Sequence, residues 1–271
     1  MQDAGCRQRA FDKRKKPLPE REENRDNEAL LKQRGKKLTI YYRNRLLGLW
    51  EKYVMYGSYP RVALETKDDI KKILLEDIGA SYIKKDVIDA GIKNTEKYFL
   101  LLKILANQTG QLVNSQELAN TLNTSHHTIK EYLYVMRKSY QIAFITPFYR
   151  SLRKELTKMP KVYFYDSGLR NFFLSSYNLI EKRTDKGSYT ENIIFRELLN
   201  NVKDVDKIKF WRTQDKKEVD FVLQKEAYEV KYKRGKIKER RYLEFRKEYP
   251  EIKFNYLYYD KILKKFYGWD L

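Results

Sequence analysis

Apolar residues recur at helical spacing through the first half of the chain and shift toward alternation in the last third. Leu46, Leu47, Trp50, Val54 and Met55 predict a helix over 38–56, which Gly57-Ser58-Tyr59-Pro60 ends. A second helical stretch covers 67–77, and 82–90 continues in mixed character. Thr95 can cap a helix that turns Tyr98, Leu101, Leu102, Ile104 and Leu105 inward, with Gly110 closing the following turn. Asn114-Ser115-Gln116-Glu117 opens a short helix burying Leu118, Ala119 and Leu122. Asn123-Thr124-Ser125 then forms a turn and N-cap for a helix over 127–138, apolar at Ile129, Tyr132, Leu133, Val135 and Met136. A strand is expected over 141–146, and 162–169 reads as a buried strand ending in a turn.

Helix, short helix, tight turn, helix and strand is the order of a helix-turn-helix with a winged continuation. Its third helix opens with Ser125, His126, His127, Thr128 and Lys130, small or polar groups suited to base edges and phosphates. A helical hairpin packed on a neighbour gives the same pattern. The two histidines are adjacent and so point apart on a helix, which reads as surface polarity rather than a metal site. Arg150, Arg153, Lys154, Lys158 and Lys161 beside the wing suit a phosphate backbone, with solvated lysines as the alternative.

After a linker over about 177–187 the pattern becomes α/β. A helix is expected over 189–200 with Glu191 in its first turn, strands over 208–212, 218–223 and 227–233, a helix over 237–249 and a strand over 253–259. Side chains alternate along a strand. Asp220 is therefore expected to point away from Val219 and Phe221, and Glu229 and Lys231 to share a face opposite Val230. A short connection sets Asp220 beside Glu229. Two neighbouring carboxylates repel unless a cation sits between them, and such hard oxygen ligands suit Mg2+ or Mn2+. Lys231 can orient a metal-bound water or stabilise phosphate charge, and Glu191 can supply a third carboxylate. Metal, water and lysine are sufficient for phosphodiester hydrolysis. An exposed cross-strand salt-bridge cluster is the competing reading.

The 271 residues carry 57 Lys+Arg against 37 Asp+Glu, a net charge of +20 that attracts polyanions, although a Lys-rich proteome yields the same excess. No apolar run approaches the roughly 20 residues of a bilayer span. One cysteine excludes an internal disulfide, and no apolar segment precedes Ala4-Gly5-Cys6. The expectation is a cytoplasmic protein with no membrane partner. Residues 1–38, with basic 13–16, Pro17 and Pro19, read as a charged, poorly ordered arm.

The helix Glu191, then Asp220, then Glu229-Val230-Lys231 on adjacent strands resemble the PD-(D/E)xK nuclease superfamily. More of the chain, from about Leu46 onward, is similar to the C-terminal region of prokaryotic AAA-type ATPases, often described as a domain of unknown function. The resemblance rests on Gly57-Ser58-Tyr59-Pro60, the helix-turn-helix, the 158–169 segment KMPKVYFYDSGL, Glu191-Asn192, Phe210-Trp211-Arg212, Glu218-Val219-Asp220-Phe221-Val222 and Glu229-Val230-Lys231, in that order. It implies a mixed α+β fold: a helical domain over 39–177 with a winged helix-turn-helix at about 95–170, then a small restriction-endonuclease-like α/β domain over 188–271. It implies Asp220, Glu229, Lys231 and Glu191 as catalytic residues, Asp220 and Glu229 as metal ligands, and DNA as the nucleic-acid partner. The phosphate-binding loop G-x-x-x-x-G-K-[ST] is missing from this sequence, since Gly35-Lys36-Lys37 lacks the upstream glycine and the hydroxyl. No ATP site and no ATP hydrolysis by this chain alone are expected, and a separate ATPase module is the expected partner. The alternatives are a non-catalytic DNA- or protein-binding module and the remnant of a split ATPase gene.

Overall fold

A computed structural model describes residues 40–82, 87–235 and 237–268. The charged arm expected over 1–38 lies outside them. Helix α1 (Ile40–Tyr56) stops at Gly57, whose φ of +81° is a left-handed conformation that glycine adopts freely. Pro60 opens α2 (Pro60–Leu64), which the sequence reading passed over, because proline at a first helical position starts a helix as readily as it ends one. Then comes α3 (Asp68–Tyr82).

The next helices are α4 (Thr95–Asn107), α5 (Ser115–Thr121) and α6 (His126–Lys138). Asn94, not Thr95, caps α4, its side chain accepting from the Lys97 N–H. Asn114 and Ser125 cap α5 and α6. Along α6, Ile129, Tyr132, Leu133 and Met136 are buried at i, i+3, i+4 and i+7, one helical stripe. Strands β1 (Ile142–Ile145) and β2 (Lys161–Phe164) pair antiparallel, with Leu112 bridging to Lys161 on the other side. A short helix α7 (Leu152–Thr157) lies in the β1–β2 connection.

Asp166-Ser167-Gly168 does not end in a turn; it opens α8 (Ser167–Phe173). Asp166 caps that helix through the Leu169 N–H and also accepts from the Ser58 N–H at 2.7 Å. A Cβ on Gly168 would stand 2.0 Å from the Tyr56 carbonyl oxygen. The Gly57-Ser58 and Asp166-Ser167-Gly168 motifs thus interlock, joining the end of α1 to the start of α8.

The α/β part consists of α9 (Lys186–Val202), β3 (Lys209–Arg212), β4 (Glu218–Val222), β5 (Glu226–Lys231), α10 (Leu243–Glu248), β6 (Lys253–Tyr258) and α11 (Ile262–Tyr267). The sheet order is β3-β4-β5-β6, antiparallel except for the parallel β5–β6 pair. The molecule is mixed α+β, a helical part followed by a small α/β part. Of the helix expected over 237–249, α10 and a preceding 3-10 turn form.

Strand β2 is the seam. Val162 and Phe164 enter the core of the helical part, with Leu101, Leu105 and Ile129. Tyr163 enters the core shared by α1, α9 and the sheet, with Trp50, Phe195, Phe210, Phe221 and Val230. The buried Asn192 side chain of α9 accepts from the Phe164 N–H at 2.8 Å and donates to its carbonyl at 3.4 Å, in place of a neighbouring strand.

Candidate acidic site and nucleic-acid face

Strand alternation does not set Asp220 as expected. Lys209 pairs with Val222 but Trp211 pairs with Val219, so two β4 residues, Asp220 and Phe221, face Phe210. This bulge re-aims the strand. Val219 enters the Trp211 and Phe245 core while Phe221 enters the core on the other side. Asp220 lies at the turnover. Its Oδ2 accepts from the Val230 N–H at 2.8 Å, taking the place of a ladder carbonyl where β4 and β5 part. The Phe221↔Tyr228 register, continued by one residue, sets Asp220 opposite Glu229.

Two groups of charges meet at Asp220. On β5, the Lys231 ammonium donates to Glu229 Oε1 at 2.5 Å. Glu229 Oε2 is buried and lies outside hydrogen-bond geometry with any donor among the described residues, while the Tyr242 hydroxyl faces the Glu229 carboxylate closely enough to lower its pKa. On the other side is Glu191, in the second turn of α9 because that helix starts at Lys186. Tyr163 donates to its Oε2 at 3.1 Å. A side chain at Gly110 would come within 2.6 Å of the same oxygen, so glycine makes room for the carboxylate.

Lys161 stands among these acids. Its place beside the wing predicts a surface contact to phosphate, yet its side chain is 1% exposed. Its Nζ is 2.5 Å from Glu218 Oε1, 3.9 Å from Asp220 Oδ1 and 4.0 Å from Glu191 Oε2, and lies 5.4 Å from the centre of the Phe210 ring. Glu218 also holds Arg212 at 2.5 Å. The reading missed Lys161 because period-two alternation says which faces a strand has, not what covers each face. The signal was available: a lysine directly before the apolar run Val162-Tyr163-Phe164 is in register with buried Tyr163.

The electrostatics follow from burial. Burial and then the charge of Asp220 push the Glu191 carboxyl up to about 8, and the same two causes push Glu229 up to about 7. Burial raises Asp220 as well, against the Lys161 ammonium and the Val230 N–H. Burial works against the Lys161 charge, but Glu191, Asp220 and Glu218 outweigh it and its pKa rises.

Among the described residues no three His, Cys, Asp or Glu side chains converge to hold a metal ion. A closed protein cage is therefore not formed. Asp220 and Glu229 are carboxylates of the hard-oxygen kind that a divalent ion takes, with the Tyr242 hydroxyl facing the second of them. Glu191 belongs to the Lys161 side of Asp220.

The helix-turn-helix residues divide. Ser125 Oγ is used on the Thr128 N–H and hydroxyl. His126 Nε2 meets Ser115 Oγ at 2.7 Å, linking α6 to α5. His127 is exposed and lies 3.5 Å from Glu131, and Lys130 is exposed. Tyr134, Arg137 and Lys138 continue the exposed face of α6 and were not anticipated, though the complement of the apolar stripe predicts them. In the β1–β2 connection, Arg150 donates to the Glu248 carbonyl at 2.8 Å and covers the Tyr249 ring, so it anchors this segment to α10. Arg153, Lys154 and Lys158 are exposed. Among the described residues no helix is long and apolar enough to cross a membrane.

The chain is 31% identical to an uncharacterized protein of Haemophilus influenzae over 196 residues, 68% of this chain and 45% of that one. It is 27% identical to an uncharacterized protein of Methanocaldococcus jannaschii over 220 residues, 78% of this chain and 48% of that one. An uncharacterized protein of Mycobacterium tuberculosis matches at 26% over 123 residues, 45% of this chain and 28% of that one. The chain spans about half the length of the first two of these relatives. No solved structure matches it. The chain carries two regions that match family models, each described as a domain of unknown function: DUF8612 over residues 47–178 and DUF4143 over residues 186–264.

Proposed function

We propose that the chain is the nucleic-acid-handling C-terminal portion of an AAA-type ATPase-family protein, with DNA held by a winged helix-turn-helix and a phosphodiester-cleaving site in the α/β part. The DUF4143 match supports the association with AAA-type ATPases. The observation that carries the catalytic reading is the juxtaposition of Asp220 with Glu229 on adjacent strands, with the Lys231 ammonium on Glu229 Oε1. Asp220 and Glu229 would hold Mg2+ or Mn2+, which supplies an acidified water and charge neutralisation at phosphate. Lys231, with a side chain 42% exposed, is the member of the group able to reach a phosphate oxygen from solvent. Glu191 sets the position of Lys161 and the charge around Asp220. The exposed face of α6, with His127, Lys130 and Arg137, fits a groove of duplex DNA, with Thr128 beside it, and Arg153, Lys154 and Lys158 add phosphate contacts. An ATPase module, joined to this region or on a separate chain, is the partner that the reading implies.

The test is Mg2+- or Mn2+-dependent cleavage of DNA and RNA substrates by the wild-type chain. Activity should disappear in Asp220→Ala and in Lys231→Ala. Absence of cleavage across substrates with both metals sinks the catalytic reading.

One observation favours a second reading, a non-catalytic binding module. The Lys161 ammonium is itself a buried cation paired with Glu218 and close to Asp220 and Glu191. This reading expects salt-dependent DNA binding that survives Asp220→Ala, with no cleavage.

A further inference from the structure

A lysine is rarely buried unless paired. Lys161 is buried because it arrives from the other part of the molecule. It is the first residue of β2, held by the β1 ladder, by the Leu112 bridge and, through Tyr163 and Phe164, by Glu191 and Asn192 of α9. That places one positive charge 3.9 Å from Asp220 Oδ1. A divalent ion on Asp220 would sit about 2.0–2.6 Å from a carboxylate oxygen. An ammonium and a dication would then be near neighbours beside a carboxylate that is itself 7% exposed. Like charges so placed repel strongly.

We infer that Lys161 is a built-in rival of the divalent ion: the winged part, through β2, controls whether Asp220 and Glu229 take a metal. This rests on the metal reading of those two carboxylates and adds its regulation. In the arrangement seen here the ammonium stands 3.9 Å from Asp220 Oδ1, on the Glu191 side of that carboxylate, and sets its charge against an incoming cation. Metal binds tightly when the Lys161 charge is removed from beside Asp220.

The experiment titrates Mn2+ against the full chain and follows free ion by electron paramagnetic resonance. Lys161→Met should bind Mn2+ at least tenfold more tightly than wild type, and Asp220→Asn should abolish binding in both backgrounds. Equal affinity of wild type and Lys161→Met, lost in Asp220→Asn, overturns the role of Lys161 and leaves the metal reading standing. No Mn2+ binding by any variant overturns the metal reading and the inference with it. A measurement on wild type alone guards against a variant that does not fold. Acetylation of Lys161 by sulfo-NHS-acetate, read by mass spectrometry, should be slow without metal and rise severalfold at saturating Mn2+. Unchanged protection at saturation overturns the inference.

Discussion

Replacing Lys161 by methionine keeps most of the side-chain length and removes the charge. The side chain is 1% exposed, so its ion pairs are not screened by solvent. Removing one partner of a buried ion pair costs about 3–5 kcal/mol, because the other charges are left uncompensated. For a chain of this size that is a fall in Tm of roughly 6–20 °C. The loss should depend on pH, and its sign follows from the acids left behind. Glu191 rises from 4.5 to about 8 on folding, and Glu229 from 4.5 to about 7. A carboxyl raised on folding favours the fold fully below its unfolded pKa, and that contribution is lost as pH rises through the folded pKa. Taking away Lys161 raises Glu191 and Asp220 further, so the loss falls on the alkaline side. Urea unfolding at pH 8 and at pH 5.5 should show a cost near the full 3–5 kcal/mol in the first case and about half or less in the second. An equal cost at the two pH values, or a cost below about 1 kcal/mol at pH 8, the range of an exposed ion pair, would refute the placement of Lys161 among the acids.

Gly168→Ala should destabilise at or beyond the upper end of the about 1–3 kcal/mol seen for overpacking, since its Cβ meets the Tyr56 carbonyl oxygen at 2.0 Å and backbone cannot step aside cheaply; a melting curve like wild type refutes the interlock of α1 and α8. Asn192→Leu preserves volume but strips the Phe164 N–H of its acceptor, and should cost about 1–3 kcal/mol in urea unfolding. On the exposed face of α6, Lys130→Ala and Arg137→Ala should each weaken DNA binding and lower the slope of log affinity against log salt by about one. An unchanged slope in both removes that face from the interface.

How much of this the sequence shows depends on whether a feature is local. The caps at Asn114 and Ser125 and the stripe Ile129, Tyr132, Leu133, Met136 are legible because spacing within one helix decides them. The neighbourhood of Asp220 and Glu229 is legible because a short connection joins two antiparallel strands. Helix α8 is not, because Asp166-Ser167-Gly168 carries turn residues, and the motif is fixed as a helix start when the Ser58 N–H and hydroxyl donate to the Asp166 carboxylate. The bulge at Asp220-Phe221 is equally illegible, for alternation assumes a register that only the partner strand sets.

Lys161 is the sharpest case, and it bears on function. The strand reads as buried from Val162 on, with Lys161 grouped among the basic residues of the wing although it shares a face with Tyr163. In β2 the second face is covered by α9 and the sheet, so the same alternation buries both. A lysine there is tolerated only if the covering surface supplies carboxylates, and it supplies Glu191, Glu218 and Asp220. The dependence is mutual: three acids near one bulge need a cation, and the structure provides one from the helical part. Any force that moves β2 against α9 therefore changes the charge at Asp220 directly. That couples the helical part with the acidic cluster of the α/β part, through one side chain.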